Sequence, residues 1–189
     1  MKERGEDILL VQIYVDDIIF GSTNPEMCKE FEQVMKVKFE MSATGEMKFF
    51  LGLQVEQTDH GIFLHQTKYV EDILVRFGMT NCDVAKTPLA TNHGITPDEK
   101  GELVTATVYR AIIGSLMYLT ASRPDIMFAT CLCARYQAKP RLSHLTAAMR
   151  IIRYLKGHPD TGLWYPHLND YSLTAFSDSD YGGCMINAK

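Results

Sequence analysis

Two β-rich apolar runs open the chain, Ile8 to Val15 and Ile18 to Phe20, with only Asp16-Asp17 between them. That spacing predicts a tight β-hairpin with both aspartates in its turn. Thr23-Asn24-Pro25-Glu26 then reads as a helix start, with Asn24 or Thr23 as cap and Pro25 in the first turn. Met27, Phe31, Val34, Met35 and Phe39 recur at helical spacing, so this helix is expected to lay an apolar core face on the sheet. Glu26, Lys29, Glu30, Glu32, Gln33 and Lys36 form its solvated side. From Lys48 to Gln57 the pattern turns strand-like, with Leu53 and Val55 alternating against Gln54 and Glu56. Thr58-Asp59-His60-Gly61 makes a turn, and Ile62-Phe63-Leu64-His65 returns as a second strand.

The pattern then becomes helical. Thr67 is the expected cap of a helix from Lys68 to Phe77, striped by Val70, Ile73, Leu74 and Phe77 and ended by Gly78. Residues 80–101 hold turn formers and little periodicity, and read as a connection. After 103, Tyr109, Ile112, Ile113, Leu116 and Leu119 share a face, and Gly114-Ser115 would permit a close helix contact. Arg123-Pro124-Asp125 breaks that helix and starts another, to about Gln137. Ser143 caps a third that ends at Gly157. Gly162 to Tyr165 is a short strand, and Tyr171 to Asp178 an alternating one. The fold class is α+β: β-hairpins with a helix, a helical region, then strands.

Composition narrows the classes. The 189 residues are 46% hydrophobic and 22% charged, as in ordinary globular proteins. A net charge of −4 means that any nucleic-acid surface must be local. No apolar run is long enough to span a membrane, and the N-terminus has no signal-peptide core, so a cytoplasmic or other intracellular location is expected. Cys28, Cys82, Cys131, Cys133 and Cys184 form no C-x-x-C pair, and Cys131-x-Cys133 lacks zinc spacing; they read as reduced thiols.

Two stretches carry candidate chemistry. Adjacent aspartates suit a two-residue turn poorly, since its central positions favour Gly or Asn at φ > 0. Two crowded carboxylates also repel unless a cation sits between them. The pair is thus either a divalent-cation site or a plain solvated turn. Between Ile126 and Pro159 there are six basic residues and no acid. Arg150, Arg153 and Lys156 lie opposite the apolar Ala148, Ile151, Ile152 and Leu155. They make either a phosphate-tracking face or a solvated one.

Tyr14-Val15-Asp16-Asp17, set between Leu9-Leu10-Val11-Gln12-Ile13 and Ile18-Ile19-Phe20-Gly21, resembles the Tyr-x-Asp-Asp hairpin of reverse transcriptases. The flanking text resembles the polymerases of Ty1/copia-type LTR retrotransposons. Further family-like runs are Phe50-Leu51-Gly52-Leu53, Gln66 to Tyr69, Arg76 to Met79, Tyr109 to Thr120, Ser122-Arg123-Pro124-Asp125-Ile126 and Arg153 to Gly157. The resemblance implies that Asp16 and Asp17 bind Mg²⁺ at a two-metal site for nucleotidyl transfer, where hard oxygen ligands suit the ion. It implies that Phe50, Leu51 and Gly52 lie at the primer end, Gly52 because a strand glycine permits close backbone approach; a bulge without a ligand is the other reading. It tips the basic face towards nucleic acid.

The resemblance divides the chain into the C-terminal part of a palm (1–66), a helical thumb or connection (67–157) and the start of an RNase H-like domain (158–189). In the last, Asp178 matches the first metal-binding acid, while Asp180 reads as a turn residue. An RNA/DNA template–primer duplex and a deoxynucleoside triphosphate are the implied partners, with a missing half of the polyprotein a further one. The family's site also takes an aspartate from an earlier palm strand, and only 15 residues precede Asp16 in this sequence. The expectation is a fragment unable to polymerise alone, with an exposed sheet edge. The alternative is a non-catalytic nucleic-acid-binding remnant. A diphosphate-binding enzyme with an aspartate-rich helix is disfavoured, because Ile13 to Phe20 is β-prone and Phe20 and Gly21 stand where a further acid would be needed.

Overall fold

The computed structural model describes residues 1–42, 45–90 and 95–167. Three strands, β1 (Lys2–Arg4), β2 (Asp7–Tyr14) and β3 (Asp17–Ser22), form an antiparallel sheet in the order β1-β2-β3. The predicted hairpin is therefore β2–β3. β1 was not legible as a strand, although Gly5 at φ +65 supplies the turn that folds it back. Among the described residues β3 ends this sheet, with no strand paired to its outer side.

α1 (Pro25–Lys38) begins as the sequence indicates. The Asn24 side chain accepts from the Glu26 N–H at 3.0 Å, and its amide donates to Asp7 Oδ2 at 2.7 Å, tying the cap to β2. Arg4 holds Glu30 with two bonds of 2.9 and 2.6 Å, joining β1 to the helix. The expected core stripe is only partly covered. Met27 is buried and Phe31 packs edge-on against Phe20 at 4.9 Å, but Val34 and Phe39 stay half exposed or more. A three-stranded sheet offers too few apolar partners, Leu9 and Phe20 among them, to bury the whole stripe of a 14-residue helix.

The second sheet has the order β4-β5-β6-β7: β4 (Phe49–Phe50), β5 (Leu53–Thr58), β6 (Gly61–His65) and β7 (Gly162–Pro166), all antiparallel. The strand expected over 48–57 is broken by a turn at Leu51-Gly52. β7 forms as expected but pairs with β6 across nearly 100 residues of chain, so it completes the hairpin's sheet instead of opening a new one.

The core sits in the helices. α2 (Thr67–Arg76), α3 (Ala106–Leu119), α4 (Pro124–Ala134) and α5 (Leu142–Gly157) bury Val70, Ile73, Leu74, Tyr109, Ile112, Ile113, Leu116, Leu119, Ile126, Ala129, Cys133, Ala148, Ile151, Ile152 and Leu155 together. The α2 and α3 stripes and the α5 face are the ones the periodicity indicates. Gly114, however, faces open space, and it is Ser115 that is buried. Gly78 at φ +66 ends α2 in a Schellman motif, with Met79 N–H bonded to Leu74 O at 2.7 Å.

Two predicted caps differ. Thr67 is the first helical residue, and its hydroxyl meets His65 Nδ1 at 2.6 Å. The orphan N–H of Lys68 donates instead to Gln54 Oε1 on β5, at 2.8 Å. Ser143 lies inside α5 and reaches Asp98; the backbone N–H of Arg141 is accepted by His144 Nδ1 at 3.0 Å. His144, fully buried, meets Thr96 O through Nε2 at 2.7 Å and stacks on Tyr136. It is a structural residue that pins the connection to α5. No helix among the described residues is long and apolar enough to cross a membrane.

Candidate active site

The register places the hairpin tip one residue earlier than expected. Tyr14 pairs with Asp17, so the central turn residues are Val15 and Asp16, and Asp17 is the first residue of β3. Val15 carries φ +56 and is 84% exposed. A positive φ at the first central position only is the pattern of a type II′ turn, which favours glycine there. The neighbouring β1–β2 turn obeys that rule with Gly5 at φ +65; the β2–β3 turn breaks it with a β-branched residue. Strain of this kind persists where its surroundings over-determine it, and it gathers at functional sites.

Tyr14, Asp16 and Asp17 are all exposed. Cross-strand pairing puts Asp17 and Tyr14 on the sheet face that also carries Gln12 and Ile19. A cleft of about 1490 Å³ lies beside this hairpin. Asp17, Gln12 and Ile19 line one part of it, and Phe50, Leu51 and Gly52 line another. The hairpin and the expected primer-end segment therefore open onto one space, although more than 30 residues separate them in sequence.

Asp16 and Asp17 supply oxygen donors of the kind Mg²⁺ takes. Among the described residues no group of three or more His, Cys, Asp or Glu side chains could hold a metal ion. The pair thus fits the ion in chemistry and falls short in number. Asp178 lies outside the described residues.

Leu51 at φ +50 and Gly52 at φ +81 form a two-residue turn between β4 and β5. Gly52 was expected to sit in a strand and admit another backbone. It sits in the turn, and what approaches it is the Tyr118 side chain: a Cβ at Gly52 would lie 1.7 Å from the Tyr118 hydroxyl oxygen.

The basic face of α5 points at protein. Arg150 donates to Thr87 O and Oγ1 at 3.1 Å each, Arg153 to Asp83 O at 2.8 Å and Lys156 to Cys82 O at 2.6 Å. Together they pin the 82–87 segment along the helix, which Ala85 N–H reinforces by bonding Arg153 O.

Sequence reasoning passed over Arg123. It is fully buried, grips Asp125 through Nε and Nη2 at 2.9 and 2.8 Å, and donates from Nη1 to His158 O at 2.7 Å. One side chain thereby joins the start of α4 to the end of α5. The signal was present: a lone Arg between two apolar helices with an Asp two residues on. Burial raises the Asp125 carboxyl, but the Arg123 hydrogen bonds and charge, with a bond from Tyr154, hold it below the usual range.

The model of the reverse transcriptase (RNA-dependent DNA polymerase) family matches residues 1–91. The chain is 33% identical over 181 residues to the retrovirus-related Pol polyprotein from transposon RE2 of Arabidopsis thaliana, covering 96% of this chain and 12% of that protein. Against the Pol polyprotein from transposon TNT 1-94 of Nicotiana tabacum the identity is 30% over 193 residues, 97% of this chain and 14% of the other. An uncharacterised mitochondrial protein of Arabidopsis thaliana is 33% identical over 174 residues, 91% of this chain and 71% of its own length. The chain belongs to the reverse transcriptase family, and within it to the Ty1/copia-type Pol polyproteins. It spans only about an eighth of the Pol polyproteins it matches. No solved structure matches it.

Proposed function

We propose that this chain forms the metal-and-primer side of a copia-type reverse transcriptase. Asp16 and Asp17 supply ligands for Mg²⁺, and the Phe50-Leu51-Gly52 turn takes the primer 3′ end across the shared cleft. The helical unit from 67 to 157 serves as the thumb against an RNA/DNA template–primer duplex. The observation that carries this reading is the hairpin tip: two exposed carboxylates beside a Val held at φ +56, of which Asp17 lines the same cleft as the Phe50–Gly52 turn. When bound, the cation stabilises charge on the phosphoryl oxygens of an incoming deoxynucleoside triphosphate. The protein's own residues aim the carboxylates and hold the primer end. Among the described residues no third acid joins this pair, and on this reading the chain alone does not extend a primer. Arg150, Arg153 and Lys156 are not needed for this reading, since each already donates to the 82–87 segment.

The test is primer extension with Mg²⁺ by the purified chain and by a complete Pol protein carrying the same hairpin. The isolated chain should yield no product, and Asp16→Asn in the complete protein should lower extension by at least about 10³-fold. Extension by the isolated chain overturns its inactivity. Undiminished extension by the Asn variant overturns the role of Asp16.

A further inference from the structure

The Phe50-Leu51-Gly52 turn is held from the opposite side by a residue 67 positions further along the chain. Tyr118, on α3, donates its hydroxyl hydrogen to Leu51 O at 2.6 Å. Its ring packs edge-on against Tyr69 of α2 at 4.7 Å. A small cavity of about 330 Å³ lies at this junction, with Gly52, Gln54, Lys68, Asp72 and both tyrosines in its wall. Gln54 adds a second tie, accepting from the Lys68 N–H at the start of α2. A third lies behind: Ser122, just past α3, donates to buried Gln66 at the start of α2 at 2.9 Å. The hairpin is thus clamped to two helices that share one core.

We infer that Tyr118 is a positioning residue for the primer end, setting the Leu51-Gly52 turn through its hydroxyl and coupling that turn to the helical unit. This rests on the assignment of the turn to the primer terminus made above. The physical case is local. Leu51 and Gly52 both have positive φ, which a leucine tolerates poorly, so the turn needs an external restraint to hold one conformation. The Tyr118 hydroxyl supplies it at the Leu51 carbonyl, and Gly52 lacks a Cβ where that oxygen sits. Movement of α2 and α3 about a duplex would then be transmitted to the residues facing the primer end.

The experiment uses the full chain and a template–primer duplex whose primer ends in a photoreactive 4-thiothymidine. Binding and the yield of cross-links to residues 49–52 are measured separately. Tyr118→Phe keeps the ring against Tyr69 and removes only the hydroxyl. It should leave duplex affinity unchanged and lower the cross-link yield about 5-fold, the equivalent of one lost hydrogen bond. Gly52→Ala should lower the yield too, and the double variant should be no worse than Gly52→Ala alone, because both changes break one contact. Unchanged cross-linking in Tyr118→Phe, or additive losses in the double variant, overturns the inference and leaves the primer-end assignment standing. A wild-type chain that binds duplex but never cross-links through 49–52, or that binds none, overturns the assignment and the inference with it.

Discussion

Tyr14 and Asp17 face each other across the closing pair of the β2–β3 hairpin, and that one pairing puts Val15, not a second aspartate, at the strained corner of the turn. Asp17 thereby becomes a strand residue facing a cleft, while Asp16 stays in the turn. The two acids are adjacent in sequence and differ in backbone role.

Val15→Gly should stabilise the chain. Releasing a β-branched residue from positive φ recovers about 1–2 kcal/mol, and glycine's extra freedom in the unfolded chain returns about 0.5–1 kcal/mol of that. The expected net gain is about 0.5–1 kcal/mol in urea unfolding. A loss of stability would mean that the Val15 side chain makes a contact worth more than the strain.

Asp125 should dominate the acid side of the stability curve. Its folded pKa lies below the ordinary carboxylate value, so its contribution is complete above the unfolded pKa near 4 and is lost as pH falls through the folded value. Asp125→Asn should flatten that limb. At pH 7 it should cost about 3 kcal/mol, because it leaves the buried Arg123 charge without its partner. That is the lower end for a broken buried pair, since the Asp125 side chain keeps 28% exposure. Chemical denaturation of both proteins from pH 3 to pH 7 checks the sign and the window.

Replacing Arg150 and Arg153 by Ala should be read as heat sensitivity. Each change removes charge-assisted bonds to the 82–87 segment, worth about 1–2 kcal/mol apiece. The melting temperature should fall by about 4 °C for each. The slope of log affinity for a template–primer duplex against log salt should stay within about one unit of wild type. A drop of about two would place both side chains on phosphates.

The local pattern was sufficient wherever one element could satisfy itself. Asn24 reads as a cap because it can reach the Glu26 N–H two residues on, and Gly78 reads as a helix stop because only glycine takes φ +66 cheaply. The stripes of α2 and α3 are visible because helical spacing gathers apolar residues on one side. The paired acids mark the hairpin in the sequence as poor turn chemistry, although the residue that breaks the turn rule is Val15, one place earlier.

Tertiary structure decided what depends on a partner distant in sequence. Gln54 caps α2 and Tyr118 holds Leu51 O because sheet and helices meet there, and neither spacing exists along the chain. Arg150, Arg153 and Lys156 form a basic face on any helical projection. Only the folded path of residues 82–87 shows that their donors meet carbonyl oxygens. Periodicity states which side of an element a residue occupies; it cannot state what arrives to cover that side, because those contacts are chosen by how the elements pack.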